Sequence, residues 1–286
     1  MATADSRVWL ITGTSTGFGR VLAEQVLKKG DSLIATARNP QQIETLVADY
    51  SDRTLAVQLD VTHEEQIKAA VEQAVATFGH IDVLVNNAGY GLIGALEEVS
   101  NEQIRRNFET NLFGAIDMMR AVLPVMRQQR SGHIINMSAI AGFTNELGFS
   151  IYGGAKFAIE GISEALQGEV APFGIKVTLV EPGPFRTDFI GRSLDRATHQ
   201  MAEYQPTVGK FLQFLNTIEG KQPGDPVKAA KAIIQIVESE NPPLRLVLGH
   251  YAYSKFRQKI ESLTQELDAW EDIAANTDFV DTPVVH

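Results

Sequence analysis

Short runs of β-branched and aliphatic residues alternate along the chain with longer stretches in which apolar positions recur every three or four residues. This is the pattern of strands joined by crossover helices in a parallel sheet. Val8 to Thr12, Ser32 to Thr36, Leu55 to Leu59, Val83 to Asn86, Ile134 to Met137, Val177 to Glu181 and Arg245 to Leu248 read as seven strands. Their near-continuous apolar character predicts burial on both faces. Between the third and fourth, Ile67, Ala70, Val71, Ala74, Val75 and Phe78 form one helix stripe facing the sheet, with Asp60-Val61-Thr62 as its cap. The pattern predicts an α/β fold, a doubly wound, Rossmann-like parallel sheet of seven strands.

No repeat, low-complexity run or Pro/Gly-rich linker divides the chain, which predicts a single domain over 1–286 with a core at about 7–250. Two stretches depart from the alternation. A helical substrate-loop insertion is expected at about 187–223, carrying Phe189, Met201, Tyr204, Phe211 and Phe214. A helical extension is expected at about 250–286, with one helix from Tyr251 to Ile273 and Trp270 near its end.

Composition narrows the chemistry. The 286 residues include no cysteine, which removes disulfide frameworks, thiol nucleophiles and cysteine-based zinc sites. His63, His80, His133, His199 and His250 lack ligand spacing, so no metal is expected. Met1 to Arg7 hold no apolar core of signal-peptide length and no run of 18 apolar residues follows, so the expectation is a soluble, cytoplasmic protein without a membrane partner. The net charge of −10 gathers at the end: Glu261, Glu266, Asp268, Glu271, Asp272, Asp278 and Asp281 stand there without a Lys or Arg. A solvated, frayed terminus is expected, with an acidic interaction tail as the alternative. The near-neutral remainder speaks against nucleic-acid binding.

The first strand runs into Thr12-Gly13-Thr14-Ser15-Thr16-Gly17-Phe18-Gly19, followed by Val21, Leu22, Val26 and Leu27 at helical spacing. Glycines let a strand turn at once into a helix, let a pyrophosphate approach the backbone, and leave the helix N–H donors free for an anion. The second strand ends in Ala35-Thr36-Ala37-Arg38. A carboxylate there would favour NAD; Arg38 is suited to the 2′-phosphate of NADP, the competing reading being a surface arginine. Farther on, Tyr152 and Lys156 stand at i and i+4 of a predicted helix, where the ammonium is expected to lower the phenol pKa.

These features occur in order with Asp60 after the third strand, Asn86-Asn87-Ala88-Gly89 after the fourth, Asn111 in a helix, Asn136-Met137-Ser138 after the fifth and Pro182-Gly183-Pro184 after the sixth. The set resembles the short-chain dehydrogenase/reductase family over about residues 7 to 250. The resemblance implies cofactor contacts from Gly13, Ser15, Thr16, Gly17, Phe18, Gly19 and Arg38. Asp60 and Val61 would meet the adenine, and Asn87, Ala88 and Gly89 would line the adenosine ribose. Pro182, Gly183 and Thr187 would hold the nicotinamide. Tyr152 would be the general acid and base. Lys156 would bond the nicotinamide ribose and stabilise the phenolate, and Asn111 would hold a water linking Lys156 to solvent.

One position departs from the family. Counting from Gly142 or back from Tyr152, the catalytic serine falls at position 139, which is Ala139. Ser138, one residue earlier, points to the other side of a strand end. Three readings stand open: an introduced substitution, a natural change with Ser138 or a backbone N–H as donor, or a slow or specialised enzyme.

The insertion's aromatics, with Phe143, Phe149 and Tyr90, suggest an apolar pocket for a bulky ketone or secondary alcohol; packing alone is the competing reading. The leading expectation is an NADP(H)-dependent carbonyl reductase or alcohol dehydrogenase. The alternative is a nucleotide-binding regulatory protein or inactivated variant, for which Ala139 speaks. A nucleotide-sugar epimerase or dehydratase would need a larger C-terminal domain. The helices around Asn101 to Gln128 and Tyr152 to Phe173 resemble those through which family members form homodimers and homotetramers.

Overall fold

The structure is a computed structural model and describes residues 6–279; Met1 to Asp5, most of the predicted N-terminal stretch, and Asp281 lie outside the described residues. The strands are β1 (Val8–Ile11), β2 (Ser32–Ala37), β3 (Thr54–Gln58), β4 (Val83–Asn86), β5 (Gly91–Ile93), β6 (Gly132–Met137), β7 (Ile175–Pro182), β8 (Leu194–Arg196) and β9 (Arg245–Leu248). The helices are α1 (Gly17–Lys29), α2 (Glu44–Val47), α3 (Glu64–Phe78), α4 (Asn101–Phe108), α5 (Gly114–Gln129), α6 (Ser150–Val170), α7 (Lys210–Ile218), α8 (Pro226–Glu238) and α9 (His250–Ala274).

Seven strands form one parallel sheet in the order β3-β2-β1-β4-β6-β7-β9. The order reverses between β1 and β4, and open α/β sheets bind ligands at the carboxyl ends of strands beside such a reversal. Two apolar layers enclose the sheet. Ile67, Ala70 and Ala74 of α3, Met118 and Val122 of α5 and Ile159 and Leu166 of α6 pack on one face. Leu22, Ala23 and Val26 of α1 and Ala229, Ile233 and Val237 of α8 pack on the other. The predicted doubly wound architecture is therefore present, with the predicted α3 stripe facing the sheet.

Several local expectations need correction. Burial on both faces holds for the central strands, but the edge strands β3 and β9 are only partly covered, since each lacks a neighbour on one side. His63, not the Asp60 segment, takes the cap of α3. Asp60 Oδ1 instead closes its own turn, accepting from Thr62 N at 3.1 Å and Thr62 Oγ1 at 2.8 Å. The insertion is not purely helical: β8 pairs with β5 as a separate two-stranded parallel sheet. The acidic end is not a frayed coil, because α9 runs unbroken through Glu261, Glu266, Asp268, Glu271 and Asp272. Among the described residues no helix is long and apolar enough to cross a membrane.

Candidate active site

The turn from β1 into α1 supplies a crevice of about 340 Å³, with Ser15, Thr16, Gly17 and Arg20 on one side and Arg186, Thr187 and Asp188 on the other. Thr16 caps α1 without a side-chain hydrogen bond, and the first turn holds no acidic residue. The leading N–H groups and the positive end of the helix thus lie uncompensated at the crevice, which suits a diphosphate. Gly17 has φ of 59° and open space where a side chain would stand. A Cβ at Gly19 would collide with the Gly13 carbonyl and the Asn87 amide, so its glycine permits the helix to start this close to β4. Phe18 packs against Phe185 with ring centres 5.2 Å apart.

Asn87 acts as a staple across the β1–β4 reversal. Its Nδ2 donates to Thr12 O at 2.8 Å and Gly13 O at 3.0 Å, while its own N–H and that of Ala88 donate to Thr12 Oγ1. Gly89 lies against the Asn111 side chain. Arg38 is exposed directly beyond β2, and among the described residues no ion pair engages it. Val61 is buried against Gly114, so its side chain belongs to the core. Pro182 closes β7, and Gly183 N donates to Leu248 O at 3.0 Å.

Tyr152 and Lys156 lie in the first two turns of α6, both buried. Lys156 Nζ donates to Met137 O at 2.7 Å and stands 5.7 Å from the centre of the Tyr152 ring. Burial pulls Lys156 down to about 8, with the Glu160 carboxyl opposing. The Tyr152 phenol is pushed up by burial, contrary to the expected lowering. The reason is geometric: the ammonium is engaged by a carbonyl and lies beside the ring, so loss of solvation governs the hydroxyl. Asn111 sits in a π-helical turn, Glu109–Phe113, that joins α4 to α5. Such turns often mark functional positions. Its amide spans Tyr90, accepting from Tyr90 N at 3.1 Å and donating to Tyr90 O and Asn107 O at 3.0 Å. Those bonds give the Asn111 side chain a framework task, fixing the loop at Tyr90 to the π-helical turn.

Ala139 and Ser138 face opposite ways. Ala139 belongs to the apolar cluster that includes Tyr152, Phe149 and Ile190. Ser138 is turned toward Glu160 beneath Gly142. Behind it, Arg245 Nε bridges Glu160 Oε2 at 3.1 Å and Glu181 Oε1 at 3.5 Å. Burial of both carboxyls pushes Glu160 and Glu181 up. Sequence reading missed this network, although Glu160 continues the Tyr152, Lys156 face at the same four-residue step.

Around Tyr152, the Phe149 ring lies at 5.7 Å and Phe189 of the insertion at 5.6 Å. Phe211 of α7 meets Phe149 edge-on at 6.0 Å, and Phe214 beyond it is exposed. Phe143 is not among these aromatics, since it stacks on Phe256 of α9 at 4.3 Å. Tyr204 also turns away, its hydroxyl bonded to Glu97.

Comparison with known proteins matches this geometry. A family model described as short chain dehydrogenase matches residues 7–197. A 3-ketodihydrosphingosine reductase of Bacteroides thetaiotaomicron is 41% identical over 85% of this chain and 88% of its own. A solved short-chain dehydrogenase of Streptomyces avermitilis is 43% identical, with TM-score 0.90, covering 96% of this chain and 100% of that one. A structure of ElxO with NADP bound is 28% identical, with TM-score 0.72, over 87% of this chain and 99% of that one.

Proposed function

The chain belongs to the short-chain dehydrogenase/reductase family of oxidoreductases, and from that premise we propose that it transfers a hydride between NADP(H) and a ketone or secondary alcohol. The observation that carries the reading is the pairing, on one face of α6, of buried Tyr152 and Lys156, with the N-terminus of α1 free of a side-chain cap at the carboxyl ends of the same parallel strands. Bound NADP(H) supplies or accepts the hydride. Ser15, Thr16 and Gly17 hold its diphosphate, Arg38 its 2′-phosphate, Lys156 its ribose, and Gly183 and Thr187 flank its nicotinamide. The absence of a carboxylate after β2 and the NADP-bound relative support NADP over NAD.

Tyr152 acts as general acid in reduction. A phenol kept neutral by burial carries its proton at neutral pH, and Lys156, 5.7 Å from the ring centre, is the cation placed to stabilise the phenolate once it forms. In oxidation the phenolate takes the proton back. Ala139 offers no hydroxyl to the reacting oxygen, and Ser138 is committed to the Glu160 side. Phe149 and Phe189 support an apolar substrate, as does the lipid ketone named for the Bacteroides relative. We also read the chain as one cytoplasmic domain that assembles as a homodimer or homotetramer, with half-exposed Phe113 and Phe157 on the expected pairing helices in support.

Ala139 favours one second reading, a nucleotide-binding regulatory protein without turnover. NADPH oxidation over a panel of bulky apolar ketones separates the two. Turnover with NADPH exceeding that with NADH supports the reductase; NADPH binding without turnover, also in Ala139→Ser, supports the regulator.

A further inference from the structure

The helix α9 outruns the body it starts on. Its first turns are anchored: Ala252 and Phe256 are buried, Tyr251 Oη donates to Glu146 at 2.9 Å, and Lys255 pairs with the same carboxylate at 3.1 Å. From Ile260 to Ala274 every residue is exposed. An overhang of about 15 residues extends about 22 Å, and a helix of that length without tertiary packing is marginal in water.

The overhang is not polar all round. Ile260, Leu263, Leu267 and Trp270 are 54%, 38%, 72% and 62% exposed, and they stand at steps of three, four and three. The same alternation runs back through Phe256 to Tyr253 and forward to Ala274. A repeat of 3.5 residues holds a narrow seam on one side of a helix and is the pattern of a coiled coil. Charge decides between occupants. Lys255, Arg257 and Lys259 precede the overhang, while Glu261, Glu266, Asp268, Glu271 and Asp272 line it with no Lys or Arg among them. An acidic helix is repelled by anionic bilayers, whose ligands carry basic residues on their polar face. It matches its own reverse: an antiparallel second copy sets each basic start against an acidic end, whereas a parallel copy sets acid against acid.

We propose that α9 is a dimerisation arm, pairing antiparallel with α9 of a second copy of this chain in a closed two-fold contact. Centred near Gln265, the pairing lays Leu263 on Leu267 of the second copy and Ile260 on Trp270 of the second copy. Arg257 then neighbours Glu271 of the second copy, twice per dimer.

Sedimentation velocity on the full chain and on Leu263→Glu/Leu267→Glu tests the arm. The expected result is an assembly mass halved by the variant, with cooperative thermal unfolding of the body retained; equal masses overturn the proposal. If that variant does not fold, Trp270→Ala takes its place, with a dissociation constant expected to rise at least about tenfold; an unchanged constant overturns the arm. Arg257→Glu alone is expected to weaken the pair on the order of tenfold, and Arg257→Glu/Glu271→Arg to restore it. Failure of the double reversal to restore pairing overturns the antiparallel order. Cosedimentation of the wild type with phosphatidylcholine/phosphatidylserine vesicles, lost in Leu263→Glu/Leu267→Glu, overturns the proposal in favour of a membrane surface.

Discussion

Lys156 Nζ stands 5.7 Å from the ring centre of Tyr152, one helical turn away on the same face of α6. Burial affects the two groups in opposite directions, holding the phenol neutral and drawing the ammonium down to about 8. Each shift favours the uncharged form, the loss of solvation outweighing the opposing Glu160 carboxyl at Lys156.

A pH dependence follows. The protonated lysine stabilises the phenolate, so kcat/KM for ketone reduction is expected to fall as pH rises through about 8. Lys156→Arg, whose charge persists to higher pH, is expected to lose that limb even where its absolute rate is lower. A limb at the same pH in the arginine variant would assign it to another group.

Ala139 shares the apolar cluster of Tyr152, so a serine hydroxyl there would stand on the catalytic side. Ala139→Ser is expected to raise kcat on the order of a hundredfold by adding a donor to the reacting oxygen. A kcat unchanged within a few-fold would mean that this hydroxyl is not what limits the site.

Arg38 is the exposed cation after β2. Arg38→Ala is expected to raise KM for NADPH at least about tenfold and to leave KM for NADH nearly unchanged. Equal effects on both coenzymes would remove the 2′-phosphate assignment.

The framework carries its own pH signature. His133 is buried with Nε2 at 2.9 Å from Thr178 Oγ1, and burial pulls it down to about 3. Below the unfolded value of about 6.5 the unfolded chain binds a proton that the folded chain refuses, so stability falls with acidification until about pH 3. By pH 4.5 that loss is about 2 to 3 kcal/mol. Glu181 works in the opposite sense: its raised value makes stability decline as pH climbs above the unfolded carboxylate range. Thermal melts of His133→Gln and Glu181→Gln are expected to flatten the acid and alkaline sides respectively; parallel melting curves for wild type and variant would contradict the assignment.

Why some of this was readable from residues and some was not has a physical basis. The central sheet strands announce themselves because parallel strands under two layers are near-continuously apolar, and the partly covered edge strands β3 and β9 keep enough of that character to be read. The strands β5 and β8 are three residues each, too short for a period, and β8 carries Asp195 and Arg196. The reversed pKa of Tyr152 depends on which carbonyl Lys156 meets, a distance that spacing on a helix does not fix. The Glu160–Glu181–Arg245 network joins α6, β7 and β9, far apart in sequence. The helix Tyr251 to Ile273 is legible in the sequence, but that its second half leaves the body and stays exposed depends on where the body ends, which local spacing does not fix.

The central claim is that Tyr152 delivers the proton accompanying hydride transfer from NADPH. Single-turnover NADPH oxidation with a bulky apolar ketone, compared between this chain and Tyr152→Phe, tests it most directly. The expected result is cofactor binding retained and the rate reduced at least about hundredfold in the variant; a rate within a few-fold of the parent would contradict the account.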